Sequence, residues 1–376
     1  MKFTIPVRQE DGSYREFDTL RKGYGPGSSL EEFLFSKPRT LKLYCITTWE
    51  CTLRCGYCYV LQNLKRNDRF TVDVPATIAF LKRYIAWNEE LKNVRMVQIG
   101  GEPFSAMDNV AAYSEIAAWL RSQGLDVKMV ATSNLTVLPD DLAPLAAFDS
   151  LAVSLDGDEE AHNAVRKNAS LPEGTNVFRT TIRNLYRLVQ NNPGIRKIHI
   201  QSAMGDEMLS DPVRVRTFRF ILEAIGIEPK HINVGCIAPT NGRAAIDAYA
   251  RYQKAPGPST APCCIFRPMG FICLHDNKIY ASYFDRTQLG DLNSDPAELF
   301  EKASAYVRNT MPILQDPVCQ TCDVVGYCWG NCYGDESFRH QPSTKCAREH
   351  LRGMVQTAAE DGTLPLILHN RPLTHA

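Results

Sequence analysis

The feature that most restricts the fold of this chain is a regular exchange of short apolar runs and longer helical repeats between residues 41 and 236. Leu41 to Thr47 (LKLYCIT) reads as a strand, and Val74 to Leu91 has helical spacing. The order then repeats: strand at Arg95–Ile99, helix at Val110–Gln123, strands at Asp126–Thr132 and Leu151–Leu155, and helix at Val177–Gln190. A strand at Lys197–Ser202, a helix at Val213–Ile225 and a sixth strand at His231–Cys236 close the series. Helical crossovers of this length predict an α/β fold with a parallel sheet and right-handed connections. Ligands of such folds gather at the C-terminal ends of the strands.

The first strand end is followed by Cys51-Thr52-Leu53-Arg54-Cys55-Gly56-Tyr57-Cys58, with three cysteines in eight residues. Thiolates so close together can converge on one metal centre, and soft sulfur selects zinc or an iron–sulfur cluster. A closed structural zinc site asks for a fourth protein ligand, which this loop does not supply. Gly100-Gly101-Glu102-Pro103 follows the second strand; it is a turn, or a place where backbone approaches a ligand and a carboxylate receives an ammonium group. Thr132-Ser133-Asn134 ends the third strand, and Ser154-Leu155-Asp156-Gly157 the fourth, with His162, Asn163 and Arg166 beyond it. Cys45, inside the first strand, reads as a small buried hydrophobe.

Lys+Arg and Asp+Glu both number 42, so the formal net charge is zero and nothing suggests a nucleic-acid or acidic-membrane partner. The opening MKFTIPVRQEDG is mixed and charged rather than a signal peptide, and no apolar run approaches the ~18 residues of a membrane span. The 13 cysteines therefore suit a reducing interior, where clustered thiols bind metal more often than they pair. A cytoplasmic protein is the expectation.

The cysteine spacing, with an aromatic residue before the last cysteine, resembles the signature of the radical SAM superfamily. That resemblance implies a partial (β/α)6 TIM-like barrel and a 4Fe–4S cluster held by Cys51, Cys55 and Cys58. The free iron would chelate S-adenosylmethionine (AdoMet), whose cleavage yields a 5′-deoxyadenosyl radical. Gly100, Gly101, Glu102 and Pro103 resemble the motif that binds the AdoMet amino group. Ser133 and Asn134 would reach the ribose, Tyr57 would flank the adenine, and Ser154 and Asp156 belong to an SLDG pattern found in one branch. Arg166 would pair with the methionine carboxylate, for which a planar fork is suited. Asn163 stands where that pattern has Asp, and His162 is equally readable as structural.

A second cysteine set begins after residue 236: Cys263 and Cys264 follow a Pro/Gly/Ser-rich loop, then comes Cys273. The run Cys319, Cys322, Cys328, Cys332 and Cys346 resembles the SPASM domain, which adds two auxiliary iron–sulfur clusters to radical SAM barrels; a pair of zinc sites is the alternative. Carried over by position, Cys319, Cys322, Cys328 and Cys346 would hold the outer cluster and Cys332 would cross to the inner one. The chain departs from the family there, with Asn277 at the turn glycine and Ser282 in place of the second inner cysteine. Cys263 or Cys273 would then substitute, or one iron would stay open, or the inner cluster would be 2Fe–2S. Sulfatase maturases of this architecture carry an Asp base at the position of Tyr283, with Asp285 two residues on, so formylglycine formation is not the leading reading.

The expected division is an N-terminal extension (1–40) of polar, irregular character, a barrel (41–235), a SPASM domain (236–350) and a C-terminal tail (351–376). The expected activity is oxidation or cross-linking of a ribosomally made peptide or protein side chain. The alternatives are dehydrogenation of a carbohydrate or aminocyclitol, and a non-enzymatic iron–sulfur carrier. An external electron donor such as flavodoxin or ferredoxin is implied. The first 40 residues show little periodicity, so if a leader peptide is recognised, a separate leader-peptide-binding protein or the barrel surface must do it.

Overall fold

In the computed structural model, the residues described are 3–25, 29–58, 60, 67–228, 231–236, 267–281, 287–325 and 348–360. Three short strands come first, β1 (Thr4–Arg8), β2 (Tyr14–Asp18) and β3 (Gly23–Tyr24), joined as an antiparallel meander, and helix α1 (Leu30–Phe35) follows. The alternating region comprises β4 (Thr40–Thr48), β5 (Leu53–Cys55), α2 (Val74–Trp87), β6 (Asn93–Gly100), α3 (Met107–Ser122), β7 (Asp126–Ser133) and β8 (Ser150–Ser154). It continues through α4 (Glu159–Val165), β9 (Arg166–Asn168), α5 (Val177–Gln190), β10 (Lys197–Met204), α6 (Asp206–Ser210), α7 (Pro212–Ile225) and β11 (Ile232–Cys236). Beyond it lie β12 (Phe271–His275), β13 (Lys278–Tyr280), β14 (Gln288–Asp291), α8 (Pro296–Thr310), α9 (Pro312–Gln315), α10 (Pro317–Gln320) and α11 (Arg348–Glu360).

One sheet runs in the order β11-β10-β8-β7-β6-β4-β12-β13-β14. Its first six strands are parallel, and each is the neighbour of the next in sequence. This is the arrangement the strand–helix exchange predicts: β4, β6, β7 and β10 cover the expected segments, while β8 stops one residue before the expected Leu155 and β11 begins one residue after the expected His231. Strand β12 adds to the far side of β4 in parallel, and β13 and β14 then pair antiparallel. The side-chain period of two divides the sheet: Leu41, Leu43 and Cys45 of β4 pack with Val94 and Met96 of β6 in the core that includes α2 and α3. Tyr44, Ile46, Val97 and Ile99 project to the opposite face, where Phe271 and Cys273 of β12 join them. Each such buried aliphatic side chain contributes about 1.5–3 kcal/mol of transfer free energy.

Side-chain caps set where the crossover helices begin. Asp73 accepts from Ala76 N ahead of α2, Asn176 from Arg179 N ahead of α5, and Asp211 from Val213 N and Arg214 N ahead of α7. Helix α2 stops four residues short of the expected Leu91. Buried Asn88 ends it, its Nδ2 donating to Pro38 O at 2.8 Å, so the chain can turn into β6. Helix α7 ends at Gly226, whose φ of 106° suits an αL cap.

The first 40 residues, where described, are not irregular. Ile5 and Val7 alternate inward along β1, and Phe17 of β2 packs edge-to-face on Tyr24 at 5.5 Å. Together with Leu30 and Leu34 they form a second core with Val307, Met311, Ile313, Val324, Leu351 and Val355. The meander thus packs with α11, which crosses residue 351. No helix among the described residues is long and apolar enough to cross a membrane.

Candidate active site at the strand ends

The cysteine loop leaves β4 at its C-terminal end and returns as β5, which pairs antiparallel with β9 so that Cys55 faces Arg166. Gly56 N donates to Val165 O at 3.0 Å, Ala169 N to Thr52 O at 2.9 Å and Cys58 N to Cys55 O at 3.1 Å. The three thiols are half-buried and in no disulfide. Burial pushes Cys51 up to about 12 and Cys55 up to about 11, so in the metal-free chain these groups are thiols rather than thiolates.

Against this loop lies the Gly100–Pro103 turn. Gly101 N donates to Thr48 O at 2.7 Å, and Glu102 N to Glu50 O at 2.8 Å. A Cβ on Gly100 would meet Thr48 O at 2.1 Å, and one on Gly101 would meet Glu50 O at 1.9 Å. The space beside both glycines is therefore filled by the chain's own backbone. They permit a close approach, as the sequence suggests, and what a Cβ would obstruct is the backbone that enters the cysteine loop. Pro103 is buried at the start of the tight turn Pro103–Ser105.

Glu102 is fully buried, and its carboxylate accepts from Phe104 N (3.1 Å), Ser133 Oγ (2.7 Å) and Asn134 N (2.7 Å). Burial pushes the Glu102 carboxyl up to about 7, opposed by these donors. These three donors fill three of the roughly four acceptor positions of a carboxylate. Asn134 spans the gap between strand end and cysteine loop, with Nδ2 reaching Thr52 Oγ1 at 3.2 Å and Cys51 Sγ at 3.6 Å. Thr52 and Thr136 share a 2.7 Å hydroxyl contact.

A second network involves Asp156, buried beyond the end of β8. It accepts from Arg166 Nε (2.6 Å), Arg166 Nη2 (3.1 Å), Ala203 N (2.9 Å) and the Tyr57 hydroxyl. The Arg166 fork is thus taken by Asp156, while Nη1 lies 3.9 Å from Cys55 Sγ and the guanidinium sits over the Tyr57 ring at 5.6 Å. Burial pushes the Tyr57 phenol well up, keeping it a donor. Ser154 is half-buried at the end of β8. His162 is structural: fully buried, it accepts the Asp156 N–H on Nδ1, and burial holds it down to about 3. Asn163 accepts from Phe178 N at 2.9 Å in the first turn of α5 and donates from Nδ2 to Asn176 Oδ1 at 3.1 Å, a donation that the Asp of the family pattern could not make.

Cys273 is buried on the inner face of β12 beside Tyr44 and Phe271. Cys319 and Cys322 border the second core, with Cys322 N donating to Cys319 O at 3.1 Å. Cys263, Cys264, Cys328, Cys332, Cys346, Ser282, Tyr283 and Asp285 lie outside the described residues. Among the described residues no three Cys, His, Asp or Glu side chains gather around a single ion.

Two parts of the site carry no sequence signal. Thr52 and Thr136 read as ordinary loop residues. Asn109, 4% exposed on α3, donates to Thr47 O and Phe70 O at 2.7 Å and accepts from Val72 N at 3.0 Å. It thereby ties both sides of the cysteine loop to the helix.

No protein-family model matches the chain, and no curated protein matches it. Among solved structures it is similar to native anSMEcpe with bound AdoMet, an anaerobic sulfatase-maturating enzyme of the radical SAM/SPASM type. That likeness has a TM-score of 0.60 and 15% identity over 85% of this chain and 99% of that one. The polyhistidine-tagged form gives 0.62 and 14% over 88% and 99%, and the form with bound AdoMet and Cp18Cys peptide gives 0.59 and 14% over 85% and 99%. The chain has the fold of the radical SAM enzymes, the TIM-like partial barrel that its motifs resemble.

Proposed function

We propose that this chain is a radical SAM enzyme that oxidises or cross-links a side chain of a ribosomally made peptide or protein, with Cys51, Cys55 and Cys58 holding a 4Fe–4S cluster. The observation that carries the reading is the cysteine loop itself. It is set at the C-terminal end of β4 and bonded to the ends of β6, β7 and β9 in a fold shared with AdoMet-bound anSMEcpe. The donor set fits such a cluster: three thiols in a low-dielectric pocket, with N–H groups directed at two of the sulfurs. When bound, the cluster and AdoMet supply one-electron cleavage of AdoMet and a radical that removes a hydrogen atom from the substrate.

The chain's own contribution is placement. Glu102, through its remaining acceptor position, would take the methionine ammonium, and it already fixes Ser133 and Asn134. Arg166, held by Asp156, keeps positive charge beside Cys55 and Tyr57. Its remaining N–H groups are what a substrate carboxylate would meet. The apolar wall of Tyr44, Ile46, Val97 and Ile99 excludes water beneath. Cys319 and Cys322 belong to the auxiliary-cluster set in this reading, an external one-electron donor reduces the first cluster, and the peptide bound in the anSMEcpe structure supports a peptide substrate.

The test is 5′-deoxyadenosine formation by anaerobically reconstituted protein with AdoMet and dithionite, alongside iron and sulfide analysis. Wild type is expected to release it. The Cys51→Ala/Cys55→Ala/Cys58→Ala variant should release none while keeping its C-terminal iron. Undiminished release by that variant, or zinc without sulfide in wild type, would refute the assignment.

A further inference from the structure

Three N–H groups aim at the sulfurs of the cysteine loop. Leu53 N donates to Cys51 Sγ at 3.4 Å, Asn134 Nδ2 reaches the same atom at 3.6 Å, and Arg166 Nη1 lies 3.9 Å from Cys55 Sγ. Asn134 is 7% exposed and Arg166 8%, so water hardly competes for these donors.

The Asn134 amide has little freedom to turn away. Its Oδ1 accepts from Thr136 N at 2.8 Å and Thr136 Oγ1 at 2.6 Å, and because a backbone N–H only donates, the opposite end must be Nδ2. Its backbone is held as well, with N donating to Glu102 and the carbonyl accepting from Thr181 Oγ1 at 3.1 Å. A neutral thiol is a weak acceptor. Two buried donors, one of them charged, are better matched by thiolates that carry the negative charge of a cluster.

We propose that Asn134 and Arg166 raise the reduction potential of the cluster by donating to two of its three thiolates. The proposal rests on the reading that the triad holds a cluster, and it assigns Asn134 to sulfur rather than to the AdoMet ribose. One-electron reduction adds one negative charge, part of which falls on the cysteine sulfurs. A donor or cation beside them favours the reduced form, as hydrogen bonding to sulfur does in iron–sulfur sites generally. Asp156 offsets part of the Arg166 charge, so Asn134 is the cleaner handle. It is a positioning residue, acting through Cys51.

The experiment is an EPR-monitored redox titration of the reconstituted holoprotein as wild type, Asn134→Leu, Asn134→Asp and Thr181→Val. At a fixed applied potential, the ratio of reduced to oxidised cluster should fall about tenfold in Asn134→Leu, equivalent to about 59 mV for a one-electron couple. It should fall further in Asn134→Asp, where an anion of the same shape replaces the donor. Thr181→Val loosens the Asn134 backbone and leaves the amide, so its midpoint should match wild type. If leucine prevents cluster assembly, the isosteric aspartate variant decides alone. Unchanged midpoints in the Asn134 variants overturn the proposal. So does an equal drop in Thr181→Val, because loop shape rather than the donor would then set the potential. An iron content undiminished from wild type in the Cys51→Ala/Cys55→Ala/Cys58→Ala variant overturns the cluster reading and this one together.

Discussion

At Gly101 there is no room for one methyl carbon, because a Cβ would sit 1.9 Å from Glu50 O. Gly101→Ala must therefore push the cysteine loop away from the end of β6. It should cost about 2–4 kcal/mol, at the high end for single substitutions, and should lower iron retention after reconstitution. Equal melting temperature and iron content for variant and wild type would contradict this account. Asn109 acts at the same scale. Replacing it with Leu strands Thr47 O, a group of a buried residue that costs ~1–3 kcal/mol when unsatisfied, and Phe70 O and Val72 N, which belong to half-buried residues and cost less. A loss of about 3 kcal/mol in chemical denaturation is expected, together with faster hydrogen exchange at residues 70–72. A sequence names the glycines but not what fills the space beside them, and an asparagine opening a helix gives no hint that it fastens the end of β4 to the segment at residues 70–72.

Among the elements, the β8–β10 pair carries a pH dependence. His199 on β10 is buried, its Nδ1 lies 3.3 Å from Ser150 Oγ, and burial, then the charges of Lys197, His231 and Arg95, holds it down to about 4. Its unfolded value is near 6.5, so between the two values the unfolded chain binds the extra proton and folding weakens as pH falls. Acidifying from pH 6.5 to about 4 should cost the apoprotein about 3 kcal/mol from this group. His199→Asn should flatten the melting temperature over that window, and an unaltered slope would show that other groups set it. The elements were also the scale at which the sequence was most legible. The barrel strands are short runs rich in apolar residues and bounded by turn residues, and in β4, β6, β7, β8 and β10 burial reaches both faces, which leaves little freedom in where they begin. The meander β1–β3 escaped notice because its strands hold two to five residues and only Ile5, Val7 and Phe17 face inward. Its partners lie some three hundred residues away, beyond any local pattern.

For the whole molecule, two cores divide the labour: one supports the strand ends, the other joins the meander to α8, α11 and the Cys319–Cys322 turn. Phe17 is fully buried in the second, so Phe17→Ala should cost ~3–5 kcal/mol there. Hydrogen exchange should accelerate in β1 and α11 while β6 and β7 keep their protection. Acceleration throughout the barrel would mean that the cores unfold as one. The meander's dependence on α11 also orders events during synthesis. The barrel strands pair with sequence neighbours and can form as they emerge from the ribosome. Residues 3–25 pack locally on Leu30 and Leu34, but the rest of their core comes from residues some three hundred positions later, so this segment is fully covered only after the barrel strands have been made. Until then Ile5, Val7 and Phe17 lack much of their covering, and a stop before α11 would leave a formed barrel carrying a partly uncovered apolar face.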